Sequence, residues 1–160
     1  MKKIVIDSMI MDLIIETSGL LDSIRIAGER AALVILATHV LRDQLAVTPD
    51  PEQRKRLLAV YDALPKENVP TRGFVFDISP LNGARLGEGD ESDLSLEQVK
   101  TGGHGGWHDA LIATTASGDG DVLVTEDKDL IKKVRRAKAD CEVWNFERFV
   151  EFVQTEGQEG

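Results

Sequence analysis

The chain of 160 residues has a single cysteine, Cys141, so no internal disulfide can brace it, which fits a reducing compartment and an expected cytoplasmic location. Aromatic residues are scarce at 5%, and no apolar run approaches the roughly 18 residues needed to span a bilayer, so no membrane partner is expected. Met1-Lys2-Lys3 leads into only three apolar residues before Asp7, too few for the core of a signal peptide. There is no repeat of fixed period and no long low-complexity block. Basic charge is also short, with 19 Lys and Arg against 28 Asp and Glu. The resulting net charge of -9 favours solubility and, averaged over the chain, disfavours a polyanionic partner. What the chain does have is apolar side chains, 42% of the total, enough to bury the core of one domain without a disulfide or structural metal.

Those apolar residues come in short β-like runs alternating with longer helical stretches. Lys3-Ile4-Val5-Ile6, Leu33 to Leu36, Phe74 to Phe76, Asp121 to Thr125 and Cys141 to Trp144 read as strands. Between them, apolar residues at helical spacing predict helices over Ser8 to Glu16, Leu20 to Glu29, Thr38 to Val47, Glu52 to Leu64, Trp107 to Ser117 and Lys128 to Ala139. Thr38 is a cap for the third of these, Pro51 opens the fourth, and Asn145 caps a closing helix to about Val153. This alternation predicts an α/β fold with a mostly parallel sheet of about five strands, covered on both faces. The folded domain is expected over residues 1–153, with 154–160 a disordered tail. Residues 82–106, rich in glycine, read as a lid or insertion loop.

In such sheets ligands sit at the carboxyl ends of the strands, and acidic residues recur there. Asp7 ends the first strand, and Asp127 lies two residues beyond Thr125. Asp109 falls in the first turn of the helix feeding that strand, and Asp43 in the helix after the second strand. Four converging carboxylates repel one another unless a cation joins them, and hard cations such as Mg²⁺ or Mn²⁺ prefer oxygen ligands. Such ions activate water for attack on a phosphodiester. Each acid also has a plain structural reading: Asp7 and Asp127 as helix caps, Asp109 and Asp129 as first-turn acids, Asp43 as a solvated mid-helix carboxylate.

Val5-Ile6-Asp7-Ser8, Val40-Leu41-Arg42-Asp43-Gln44-Leu45, Asp109-Ala110-Leu111-Ile112-Ala113 and Leu123-Val124-Thr125-Glu126-Asp127-Lys128-Asp129 occur in this order along residues 2 to about 150. In these four motifs the chain resembles the PIN-domain nucleases, which include the ribonuclease toxins of VapC-type toxin–antitoxin pairs. The resemblance implies a three-layer α/β/α sandwich and cleavage of RNA dependent on Mg²⁺ or Mn²⁺. It makes Asp7, Asp109 and Asp127 acidic metal ligands, with Ser8 and Thr125 in support and Asp129 beside them. The family's second acid, typically Glu, is Asp43 here, one methylene shorter. A small antitoxin protein and a second copy of the chain are the partners this likeness implies, together with RNA.

The acidic average conceals one basic segment. Lys128, Lys132, Lys133, Arg135, Arg136 and Lys138 face a single acid, Asp129, so residues 128–138 carry +5 while the rest of the chain carries -14. Leu130, Ile131, Val134 and Ala137 claim the core-facing side, leaving the cations on the other, where they are expected to meet RNA phosphates together with Arg42. His104 and His108 are separated by Gly105 and Gly106, which argues against a helical metal pair. Other strand-end chemistries fit less well. A dehalogenase-type phosphatase needs an acid where Met9 stands, a Toprim-type site needs Glu where Asp7 stands, and a Walker loop needs Lys-Ser or Lys-Thr where Gly106 is followed by Trp107. The competing reading from another class is a PIN-like fold that binds RNA or a protein without cutting.

Overall fold

A computed structural model describes residues 1–72, 84–85, 111–112, 114–136 and 140–158. Its main sheet contains β1 (Lys2–Ile6), β2 (Leu33–Ala37), β3 (Lys66–Asn68), β6 (Val122–Val124) and β7 (Glu142–Trp144) in the order β3-β2-β1-β6-β7, and every pairing is parallel. A separate two-residue parallel pair joins β4 (Thr71–Arg72) to β5 (Ala84–Arg85). The helices are α1 (Ser8–Glu16), α2 (Leu20–Glu29), α3 (His39–Ala46), α4 (Pro51–Ala63), the helical residues 111–112 and 114–119 (α5), α6 (Lys128–Arg136) and α7 (Phe146–Gln158).

Alternation along the strands sorts the core into two compartments, because successive side chains of a strand point to opposite faces. Ile4, Ile6, Leu33, Ile35, Ala37, Val122, Val124 and Trp144 point to one side and pack against α1, α2, α3, α4 and α7. Val5, Leu36 and Leu123 point to the other, where Leu111, Ile112 and Ala116 of α5 and Leu130 and Val134 of α6 cover them. The fold is a three-layer α/β/α sandwich.

Parallel strands require crossover connections, and right-handed crossovers place successive helices on one face for as long as the chain moves in one direction across the sheet. From β1 through β2 to β3 the chain steps outward one way; from β6 to β7 it steps the other. The direction therefore reverses at β1 and β6, whose following helices, α1 and α6, lie on opposite faces. Loops leaving neighbouring strands toward opposite faces open a crevice at their carboxyl ends, the usual ligand position in such sheets.

Two elements differ from the sequence expectation. The third strand is Lys66-Glu67-Asn68, paired in register with Ile35, Leu36 and Ala37. The run Phe74 to Phe76, expected in that role, lies outside the described residues, as do most of 82–106 and both His104 and His108. The closing helix also runs past Val153 to Gln158, so residues 154–158 are helical and not the disordered tail expected. Its last turn is tied down: Arg30 Nη1 donates to Glu156 O at 2.8 Å, and Thr155 Oγ1 donates to Glu151 O.

One tight contact fixes α2 against the entry to β3. A Cβ built on Gly28 would stand 2.4 Å from Pro65 Cβ and 2.6 Å from its Cγ, and the ring has no rotamer by which to move aside. Gly28→Ala is expected to lower stability by about 1–3 kcal/mol despite alanine's better helix propensity, read as a lower urea midpoint at unchanged m-value.

Candidate functional site

Asp7 is the residue at which β1 stops. Its extended backbone, φ -86° and ψ 170°, makes it the N-cap of α1, and its Oδ1 accepts from Ile10 N at 3.2 Å. Its backbone N–H remains with the sheet, donating to Val124 O. The carboxyl group is thereby held over the seam between β1 and β6, only 6% exposed.

The neighbouring strand delivers the partners. Thr125, fully buried just past β6, donates from Oγ1 to Asp7 Oδ2 in a short hydrogen bond. The same oxygen accepts from Asp127 N at 3.1 Å. Asp127 in turn caps α6, its Oδ1 accepting from Asp129 N at 2.9 Å and Leu130 N at 3.1 Å. A single chain of hydrogen bonds thus runs from the backbone of Asp127 through the Thr125 hydroxyl to the Asp7 carboxylate. The cap and site readings of Asp7 and Asp127 are compatible, because a carboxylate offers about four lone-pair positions and capping uses only part of them.

Electrostatics sets Asp7 apart. Burial is the main cause that lifts its carboxyl above the ordinary acid range; the Thr125 hydroxyl and the N–H groups of Ile10 and Met9 pull it down, and the charge of Asp127 pushes it up again. The direction has two consequences. With no cation present, the native state holds the proton more tightly than the unfolded chain, so this group favours the fold as pH falls and disfavours it as pH rises through the raised value. Cation binding needs the ionised form and therefore weakens as pH falls through that same window.

Of the other acids the sequence singles out, Asp129 sits exposed in the first turn of α6, where its backbone N–H serves the Asp127 cap. Ser8 opens α1 and is half-buried. Asp109 lies outside the described residues. Asp43 does not join the pair. On α3 the buried residues are Val40, Leu41 and Leu45, and at about 100° per residue Asp43 falls on the opposite side of the helix, exposed. Its charge is felt at Tyr61, whose phenol is raised mainly by burial, while the acid acting on Asp7 is Asp127. Among the described residues no group of three or more His, Cys, Asp or Glu side chains is close enough to hold one ion. Two carboxylates are nevertheless a sufficient protein contribution for Mg²⁺, which keeps several waters and commonly takes only one or two.

The basic segment resolves into a groove. Lys128, Lys132 and Arg135 recur at positions i, i+4 and i+7 on α6 and line a cleft of about 460 Å³ with Ile131, Val143, Asn145 and Arg148. Arg148, on α7, is a member the sequence reading missed; the only hint was its place three residues after the Asn145 cap. Its guanidinium donates to Glu142 Oε2 at 2.9 Å and lies 4.8 Å from the centre of the Trp144 ring. Arg42 lines a different recess, with Ala37, His39, Tyr61 and Asn68, at the carboxyl ends of β2 and β3. The side chains of Lys133 and Arg136 are outside the described set. Cys141 is buried, which pushes its thiol up to about 11 and removes it as a nucleophile.

No family model, curated protein or solved structure matches this chain. Among the described residues no helix is long and apolar enough to cross a membrane.

Replacing Thr125 with valine keeps the shape of the side chain but removes both hydrogen bonds of its hydroxyl. Asp7 then loses its strongest downward influence, so Thr125→Val is expected to raise the Asp7 carboxyl further. For an activity that uses ionised Asp7, the acid limb of the pH profile should move to higher pH, with a loss of about 10–100-fold below it, the usual cost of removing a ligand's hydrogen-bond partner.

Proposed function

We propose that the protein is a metal-dependent ribonuclease that hydrolyses phosphodiester bonds of RNA at the crevice between β1 and β6. The observation that carries this reading is the buried Asp7 carboxylate, linked through the Thr125 hydroxyl to Asp127 at the point where the sheet reverses direction. Burying an acid beside a second acid costs stability, and the cap on α1 that Asp7 provides could be made by an uncharged asparagine. A cation removes that cost, and the all-oxygen donor set suits Mg²⁺ or Mn²⁺.

Asp7 and Asp127 are the residues that would hold the ion, which supplies an activated water and offsets charge on the phosphate. Thr125 favours the ionised form of Asp7, against the effect of burial, and orients it. The α1 and α6 caps fix both carboxylates to rigid helix ends. Lys128, the first residue of α6, follows Asp127 in the chain, and the cations farther along that helix draw the polyanion in. This chain lacks the general level of positive charge that would hold RNA everywhere, so binding concentrates where the α6 cations face solvent.

The test is cleavage of a single-stranded RNA with Mn²⁺ or Mg²⁺ and with EDTA. Fragments that appear only with the divalent ion, together with a Mn²⁺-dependent rise in thermal midpoint, are expected. RNA binding without cleavage under every Mg²⁺ and Mn²⁺ condition would instead establish a non-cleaving RNA-binding protein, the outcome that the outward-facing Asp43 favours.

A further inference from the structure

We infer that the cleft between α6, β7 and α7 is a binding track for the sugar–phosphate backbone of a single nucleic-acid strand. The inference deepens the ribonuclease reading by naming the form of the substrate, and rests on that reading only for the strand's destination at Asp7.

The composition of the cleft is the first reason. Of its seven described lining residues, four are cations, Lys128, Lys132, Arg135 and Arg148, and none is a carboxylate, in a chain whose net charge is -9. Glu142 partners Arg148, while Lys128, Lys132 and Arg135 add like charge around the same concavity in a chain where acidic residues are abundant elsewhere. An external polyanion relieves the repulsion among them, releasing small counterions as it binds. The second reason is the floor. Ile131 and Val143 are half-buried apolar residues between the cations, suited to the faces of sugars and bases and unsuited to a free inorganic ion. Asn145 adds an amide to the same cleft, although its Oδ1 already accepts from Arg148 N as the cap of α7.

The third reason is the preparation of Arg148. Glu142 fixes one edge of its guanidinium, while Glu142 is itself held by Lys2 Nζ at 3.4 Å and Trp144 Nε1 at 2.9 Å. These donors hold the Glu142 carboxyl below its ordinary range, with the Trp144 bond the largest cause. An arginine stacked on an aromatic ring and tethered at one edge keeps its remaining N–H donors pre-aligned for a phosphate. Size supplies the fourth reason. A cleft of about 460 Å³ lies in the range of roughly 300–1,000 Å³ typical of small-ligand sites, so it takes one or two nucleotides of an open strand and not a duplex. Lys128 to Arg135 spans two helical turns, about 10 Å, and its near end adjoins Asp127.

The experiment measures binding of a fluorescent single-stranded DNA of the same length as the RNA, which has no 2′-hydroxyl, in EDTA across a salt series. Two phosphates in the cleft predict a slope of log K against log salt of about -1.4, and Lys132→Gln with Arg135→Gln should reduce it by about 0.7 or more. Arg148→Gln should weaken binding by roughly 10-fold, with Arg148→Lys recovering part of the loss. Lys132 and Arg135 are exposed, so that double variant keeps the fold even if Arg148 variants do not. A duplex of equal length should bind more weakly. Polyglutamate that competes as well as the oligonucleotide would overturn the inference in favour of an acidic protein partner. Binding unchanged in the double variant would overturn it outright. Both failures leave metal-dependent cleavage at Asp7 standing, whereas intact groove binding without cleavage would overturn the ribonuclease reading alone.

Discussion

Asp7→Asn is expected to abolish metal-dependent RNA cleavage, by at least about 100-fold, while leaving the metal-free protein as stable as the parent or more so. The activity loss follows from charge: an amide cannot replace an anionic oxygen at a divalent cation, and even removal of a ligand's neighbour commonly costs 10–100-fold. The stability expectation follows from the surroundings of the side chain. Asparagine caps a helix about as well as aspartate, so the bond from Ile10 N survives. Thr125 Oγ1 can accept from the new amide as it now accepts from Asp127 N. What disappears is a buried charge whose carboxyl burial has already pushed upward, next to the like charge of Asp127. The advantage should grow as pH rises through the raised value, because that is where the parent must ionise the group inside the fold. Thermal midpoints in EDTA across pH, with cleavage assays in Mn²⁺, test both halves. If Asp7 were only a helix cap, the substitution would leave cleavage unchanged. Addition of Mn²⁺ should raise the midpoint of the parent and not of the variant.

Phe149→Ala is the substitution expected to cost the fold most, about 3–5 kcal/mol, enough to unfold much of the population of a domain with ordinary stability. Phe149 is fully buried, belongs with Ile4, Ile6 and Ile24 to the larger core compartment, and lies in the first turns of α7. Its removal leaves a cavity that the flanking strands cannot close, since parallel strands in a sheet covered on both faces have little room to shift. The consequence extends to the groove: α7 carries Asn145 at its cap and Arg148 beside it, so loosening of the helix should weaken oligonucleotide binding before the protein unfolds globally. Urea unfolding gives the energy, and binding at low urea gives the local effect. Conversely, Phe149→Leu, which keeps most of the volume, should cost under about 2 kcal/mol and leave binding near the parental level.

Much of this architecture was legible without coordinates because the relevant patterns are local. Ile4-Val5-Ile6, Leu33 to Leu36 and Val122-Leu123-Val124 are apolar runs of strand length, and they form the centre of the sheet. Thr38, Pro51 and Asn145 sit at helix starts as their side-chain chemistry dictates. Lys66-Glu67-Asn68 escaped because it lies at the sheet edge, where one side of the strand pairs with β2 and the side chains meet water; nothing in its composition reports the pairing. The last turn of α7 escaped for a related reason. Its sequence is polar and contains Gly157, while the contact that ties it down comes from Arg30, distant in the chain, donating to the carbonyl of Glu156.

The site divides in the same way. Its acids were visible as residues at strand ends, and Asp7, Thr125 and Asp127 do meet. Asp43 stands on the exposed side of α3, which follows only once Val40, Leu41 and Leu45 commit the other side to the core. Arg148 could not be assigned to the α6 cations from its position, because eleven residues, a strand among them, intervene after Arg136. The order of amino acids therefore determined which segments become strands and helices and which carboxylates stand at their ends, since those outcomes depend on neighbours a few residues away. Only the tertiary structure decided which of those charges share a crevice, because the crossing direction of the chain at β1 and β6 and the phase of each docked helix are set by packing between distant segments.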